Sequence, residues 1–371
     1  MQTRVLQIDP AGGLARQIAP AVRAIRAGRI VGFPTETVYG VGVVATDARA
    51  VQRLRELKQR PAGAFTVHID SPQQARRYVR DVPVRAAMLM QKAWPGPLTI
   101  LLQTGGRFAD SSLRSQALFR RICRDGVVGL RCPADPVARA LLRRAGKTVL
   151  ATSANLTGRA APKSAEEVLD QLDGKIDLLL DAGQTRYRKA STLVAFEAEE
   201  YKIVRAGVLD ARMIERMSGR TVLFVCTGNT CRSPMAVALA RHALAERIGC
   251  REEELARFGQ TIISAGTFAG SDAPATQAAV KAVERFGASL GKHQARKLTK
   301  ELIRDADLIF CMTRQHVAEV TGKLPDAAGR TFLLDADGDV VDPIGADAET
   351  YLRVAERIQG SLQTRMKENL L

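Results

Sequence analysis

The 371-residue chain reads as two α/β domains in series. Short β-branched, apolar runs alternate with amphipathic stretches along the whole length, the pattern of sheets covered by helices. The length supplies two cores of ordinary size. Charge divides the chain as well: residues 1–217 hold 35 Lys+Arg against 20 Asp+Glu, and residues 218–371 hold 20 against 19, so the net charge of +16 splits into +15 and +1. A basic part beside a nearly neutral one suits polyanions such as nucleotides or RNA. Scattered arginines equally make a solvated surface, and the densest cluster, RSQALFRRICRDG at 114–126, offers Phe119 without repeated aromatic interleaving for base stacking.

The elements follow in order. ARQIAPAVRAIRAG (15–28) has helical spacing, and RIVGFPTETVYGVGVVATD (29–47) is an apolar strand running into a polar turn. ARAVQRLRELKQRP (48–61) is an amphipathic helix ending at Lys58 and Arg60, and FTVHI (65–69) is the next strand. Helices and strands alternate from there to the strand YKIVR (201–205). The boundary lies within 205–220, giving a first domain at 1–207, a linker at 208–219 and a second domain at 220–371. TVLFVC (221–226) is a buried strand, PMAVALARHALAERI (234–248) is a helix, and CTGNTCR (226–232) joins them.

That loop carries chemistry. The first turn of a helix leaves N–H groups unpaired and bears partial positive charge, so an anion fits there. Cys226 and Arg232 bracket five residues: a closed turn puts the thiol beneath a phosphate and lets the guanidinium grip two oxygens. The same surroundings favour the thiolate, which is the nucleophile. Gly228 and Asn229 suit positive φ, Ser233 is placed to cap the helix and donate to the sulfur, and Thr227, Thr230 and Cys231 complete the phosphate loop. Cys231 could also trap an oxidised Cys226 as a disulfide, although a buried small hydrophobe is the plainer reading.

With SAGTFAG (264–270), ADLIFCMTRQH (306–316) and VVDPIGADAETY (340–351), this stretch resembles the low-molecular-weight protein tyrosine phosphatase family over residues 220–371. The resemblance implies a Rossmann-like parallel sheet, catalysis without a cofactor, phosphorylated proteins as substrates and Asp342 as general acid. Tyrosine-specific members carry a larger apolar residue where Thr230 stands and aromatic residues after the Asp-Pro pair. Thr230 and Ile344-Gly345 instead resemble the protein arginine phosphatase branch. Phosphoarginine is the expected substrate and phosphotyrosine the alternative.

In the first domain FPTETVYG, KQRP, VHI, WPGPLT, VGLRCP, TSANLTG, ASTLV and IVRAG occur in that order. Together they resemble the YrdC-like threonylcarbamoyl-AMP synthase family over residues 14–207, which implies a twisted α/β open sheet. Such enzymes join L-threonine, bicarbonate and ATP, the ATP with Mg2+, into L-threonylcarbamoyl-AMP for tRNA modification. Partners on this reading are tRNA or the downstream tRNA-modifying transferase. The resemblance assigns Lys58, Arg60, Ser153, Asn155 and Arg205 to ATP, and Thr35, His68, Arg131 and Ser191 to threonine, Arg131 suiting its carboxylate. The AGAF stretch after Pro61 is shorter than the family's basic approach to the next strand, and longer synthases carry a dedicated C-terminal domain where this chain has its phosphatase-like part. The alternative is a nucleotide- or RNA-binding module without synthase activity, fused to a phosphotyrosine phosphatase.

No run of about 18 apolar residues suggests a membrane span, and MQTRVLQIDPAGG lacks the apolar run of a signal peptide. The six cysteines, at 123, 132, 226, 231, 250 and 311, show neither disulfide nor zinc spacing, so no metal site is expected and a reducing cytoplasm is the natural setting.

Overall fold

The computed structural model describes residues 2–59, 65–113, 115–270 and 272–368, and the chain divides into two compact units, residues 1–218 and 219–371. The first unit contains strands β1 (Arg4–Gln7), β2 (Val31–Phe33), β3 (Gly40–Val44), β4 (Thr66–His68), β5 (Leu98–Gln103), β6 (Val127–Arg131), β7 (Val149–Ser153), β8 (Leu178–Asp181), β9 (Thr192–Glu197) and β10 (Glu200–Arg205). They form one mixed sheet in the order β1-β8-β2-β3-β7-β4-β6-β5-β9-β10. Period-two alternation sends side chains into a core on each face: Leu150 and Leu179 go to one, and Val149, Ala151, Leu178 and Leu180 to the other. The long apolar run at 29–47 is two antiparallel strands, β2 and β3, because Thr35–Val38 folds back as a hydrogen-bonded turn.

The stretch expected as a linker, 208–219, belongs largely to the first unit. Leu209 is buried, and the helix Ala211–Met217, capped by Asp210, puts Ile214 into the same core. Apolar burial on a short amphipathic helix outweighs the freedom that a linker needs. The partition falls after Ser218.

The second unit is a parallel four-stranded sheet of β11 (Arg220–Cys226), β12 (Gln260–Gly266), β13 (Leu308–Cys311) and β14 (Thr331–Leu333), in the order β12-β11-β13-β14. Along β11, Val222, Phe224 and Cys226 face one core while Leu223 and Val225 face the other. Burial on both faces explains the unbroken apolar run of this strand. The helix Arg232–Ile248 follows at once, starting two residues before the expected Pro234, and packs against β12 and the helix Ala348–Lys367. In such a sheet ligands bind beyond the carboxyl ends of the strands, where Cys226 lies.

Candidate active sites

In the second unit the phosphate loop closes around sulfur. Asn229 adopts φ +57° and is fully buried, which turns its backbone N–H back onto Cys226 Sγ at 3.2 Å. Its side-chain Nδ2 donates to Ser233 Oγ at 2.9 Å, so the Ser233 hydroxyl proton is directed at Cys226 Sγ, 2.8 Å away. Ser233 therefore does not cap the helix as expected. Cys231 is the N-cap residue and makes no side-chain capping bond, while Ser233, two residues inside the helix, is committed to the sulfur. Burial pushes the Cys226 thiol up, opposed by the Ser233 hydroxyl and N–H, the Arg232 guanidinium and the Asn229 N–H.

Arg232 is buried, donates to Val340 O at 3.1 Å and Thr227 Oγ1 at 3.3 Å, and forms an ion pair with Asp342. The loop thus brings its anion gripper and its candidate acid together. Asp342 remains 39% exposed, open to solvent. Gly228 has open space apart from Thr230 Oγ1, and Thr230 is half-buried beside Cys231. Cys231 is buried, its sulfur 3.3 Å from the Tyr351 hydroxyl.

Several supporting residues escaped the sequence reading. His293 donates to Asn229 O at 2.7 Å, the Arg296 N–H donates to Asn229 Oδ1, and His316 links Thr227 to Thr313. All three come from distant segments; His293 and Arg296 carry no local signal, and His316 was in view only as the end of ADLIFCMTRQH. Phe268 was in view within SAGTFAG. Its N–H bonds to Thr227 O and its ring is 87% exposed, an aromatic side chain in solvent next to the loop.

In the first unit β-sheet register assembles the other candidates. His68 on β4 lies opposite Arg131 on β6, and Arg131 lies opposite Thr99 on β5. Thr99 Oγ1 is 2.9 Å from Ser191 Oγ, and Arg205 donates to Ser191 O and Oγ at 2.9 and 3.1 Å. Arg131 Nη2 reaches Thr35 Oγ1, Thr37 Oγ1 and Glu36 Oε1 at 3.2, 2.6 and 2.9 Å. Its buried Nε has no partner among the described residues. Glu36, unrecognised although it lies in FPTETVYG, also accepts from the N–H of Ala134 and of Asp135 and so orients Arg131. Burial and the Arg131 charge push His68 down to about 3, which keeps the imidazole neutral.

Lys58 sits elsewhere than on an open surface. It is 1% exposed, and its ammonium donates to Ser153 O, Asn155 O and Asn155 Oδ1, clamping the turn after β7. The Ala154 N–H bonds to Tyr39 O, so this turn adjoins the segment that follows Thr35. Arg60 and the shortened loop after Pro61 lie outside the described residues. Among the described residues no cluster of His, Cys, Asp and Glu could hold a metal ion, and no helix is long and apolar enough to cross a membrane.

A Sua5/YciO/YrdC family model, described as telomere recombination, matches residues 23–207, and a low molecular weight phosphotyrosine protein phosphatase model matches residues 221–370. A putative threonylcarbamoyl-AMP synthase of Mycobacterium tuberculosis is 32% identical over 209 residues, 55% of this chain and 90% of the relative. The protein-arginine-phosphatase of Bacillus subtilis is 36% identical over 152 residues, 40% of this chain and 95% of the relative. The threonylcarbamoyl-AMP synthase of Pyrococcus abyssi is 35% identical over 206 residues, 55% of this chain, and the chain spans 57% of that relative's length. A solved Pyrococcus abyssi Sua5 variant shares the fold, with TM-score 0.52 and 24% identity over 80% of this chain and 99% of that one.

Proposed function

Because the chain belongs to the Sua5/YciO/YrdC family in its first unit and to the low-molecular-weight phosphotyrosine protein phosphatase family in its second, we propose that it is a bifunctional enzyme. One unit makes L-threonylcarbamoyl-AMP for tRNA modification, and the other removes phosphate from phosphoarginine in proteins. The observation that carries the reading is the pair of prepared anion sites: Cys226 held by Ser233 and Asn229 under its loop, and Arg131 oriented by Glu36 with Nε still to be paired.

In the synthase reading, threonine offers its carboxylate to Arg131 and its hydroxyl to the Thr35–Ser191 side. The threonine amine adds to bicarbonate and water leaves, giving a carbamate. The carbamate oxygen attacks the α-phosphorus of ATP, and the bond to pyrophosphate breaks. Mg2+ arrives with the triphosphate as part of the substrate. Neutral His68 places no second cation beside Arg131. The Ser153–Asn155 turn receives the nucleotide, whose phosphates compete with the turn's oxygens for Lys58, assisted by Arg60 and Arg205. The chemistry is chiefly the positioning of reactants and the neutralisation of charge. The adenylate then passes to tRNA or to the downstream tRNA-modifying transferase.

In the phosphatase reading, the substrate phosphoryl group takes Arg232 from Asp342, and the freed carboxylate takes up the proton that the Cys226 thiol gives up. Cys226 sulfur bonds to phosphorus as the P–N bond breaks, and Asp342 protonates the leaving guanidine. Water next attacks the phosphocysteine while Asp342 takes its proton, so phosphate leaves and the thiolate returns. The exposed Phe268 favours a second reading, phosphotyrosine, because it offers a phenol ring an apolar neighbour.

Kinetics with the two phospho-amino-acid substrates decides between them. Wild type should prefer phosphoarginine, and Thr230→Ile should shift selectivity toward phosphotyrosine by about 10–200-fold, the size of one wall contact. A wild type that prefers phosphotyrosine, or equal losses on both substrates in the variant, removes the arginine reading. For the first unit, pyrophosphate release from ATP that needs threonine supports synthesis; nucleotide or RNA binding without turnover leaves a binding module.

A further inference from the structure

A cavity of about 660 Å3 is lined in part by His293 and Arg296, which hydrogen-bond to Asn229 of the phosphate loop. Its wall includes Arg241, Lys292, His293 and Arg296, together with the carboxylates of Glu252, Glu253 and Asp272. Glu252 is already engaged by His242 Nδ1 at 3.2 Å. Burial pushes the His293 imidazole down, its bond to Asn229 O opposes this, and the Arg296 and Arg241 guanidiniums add to the lowering, while Arg241 itself is supported by Glu252 and opposed by Arg296. Arg241, His293 and Arg296 thus lie close enough to repel one another, and an oxyanion among them would relieve that repulsion. The volume lies within the range of small-molecule sites.

This wall is continuous with the catalytic loop. His293 donates to Asn229 O at 2.7 Å, and the Arg296 N–H donates to Asn229 Oδ1 at 3.0 Å. Asn229 in turn holds both Cys226 Sγ and Ser233 Oγ. We propose that this cavity is a regulatory site for a phosphate-bearing small molecule, inorganic phosphate, pyrophosphate or a nucleotide, whose oxyanion binds among Arg241, His293 and Arg296 and activates the phosphatase through Asn229. An anion there favours the charged imidazole, which polarises the Asn229 carbonyl. That carbonyl shares its peptide group with the Thr230 N–H, so the amide becomes a stronger donor to the phosphoryl group in the loop.

The test uses the full chain, with hydrolysis of an aryl phosphate ester followed during separate titrations with phosphate, pyrophosphate and ATP. Binding at the second site raises kcat, by about fivefold if the coupling is of ordinary size. Competition at the catalytic loop raises KM alone. The double variant Arg241→Gln/Lys292→Gln should lose the kcat effect and keep the KM effect, and the most effective of the three anions identifies the source. Imidazole NMR gives a readout independent of turnover. The chain has four histidines, and with orthovanadate saturating the catalytic loop the His293 signal should move on adding pyrophosphate in wild type and stay fixed in the double variant. Anions that act through KM alone, or a His293 signal that moves equally in both proteins or in neither, overturn the proposal. Absent hydrolysis of any phosphate ester would instead count against the phosphatase reading itself.

Discussion

Two buried guanidiniums organise the chemistry, and each is held by a carboxylate. Arg131 has Glu36 behind it, also buried and braced by two N–H groups, whereas Arg232 has Asp342, which stays partly open to water. The first pair is a fixed support and the second is a contact that substrate must exchange. On this account Asp342→Asn keeps the loop and removes the proton donor. Phosphatase turnover should fall by roughly 10²–10⁴-fold, the usual contribution of a general acid. Single-turnover measurement of phosphocysteine formation checks this, and an unchanged rate would remove Asp342 from the mechanism. His68 gives a prediction in pH. The unfolded imidazole takes up a proton near 6.5 and the folded one near 3, so between these values the unfolded state binds more protons. Its contribution therefore declines as pH falls through that window, by at most about 1.4 kcal/mol per unit. Denaturant melts at pH 6.5 and pH 4.5 should show a smaller acid loss for His68→Gln than for wild type; equal losses would mean that His68 ionises alike in both states.

At the scale of elements, the phosphate loop was legible because its chemistry is contiguous. Cys226, Asn229, Arg232 and Ser233 lie within eight residues between a strand and a helix, and spacing alone indicates what they can hold. The partners that lock it arrive from other segments: His293 and Arg296 left no local pattern, and His316 stood at the end of a recognised stretch without a legible role. In the first unit Arg131 could be read as a carboxylate binder, yet its alignment with His68 and Thr99 is a matter of strand register across β4, β6 and β5. Lys58 could be read as the last residue of a helix, and its position under the turn after β7 follows from packing. Gly266 shows how β12 supports the loop. A Cβ there would come within 2.4 Å of Thr227 O, so Gly266→Ala must displace catalytic backbone. Overpacking of this kind costs about 1–3 kcal/mol. Thermal unfolding should begin earlier in the second unit and phosphatase activity should drop, while pyrophosphate release is unchanged. An active variant of wild-type stability would show that the loop tolerates the shift.

For the whole molecule, the net charge of +16 divides as +15 over residues 1–217 and +1 over residues 218–371. The structure gives each its own sheet and core, with the partition after Ser218. The boundary was the less legible feature, because 208–218 reads as a short helical segment between two strands, and its attachment to the first core through Leu209 and Ile214 is a matter of tertiary packing. The central claim is that one chain carries two separable chemistries. Its most direct test follows both on the same full-length protein, wild type and Cys226→Ser. Wild type should release pyrophosphate from ATP when threonine and bicarbonate are present, and should release phosphate from phosphoarginine. The variant should keep the first rate and lose the second, since an alcohol is a far weaker nucleophile at this site. Pyrophosphate release that ignores threonine, or phosphate release that survives the loss of the thiol, would contradict the account.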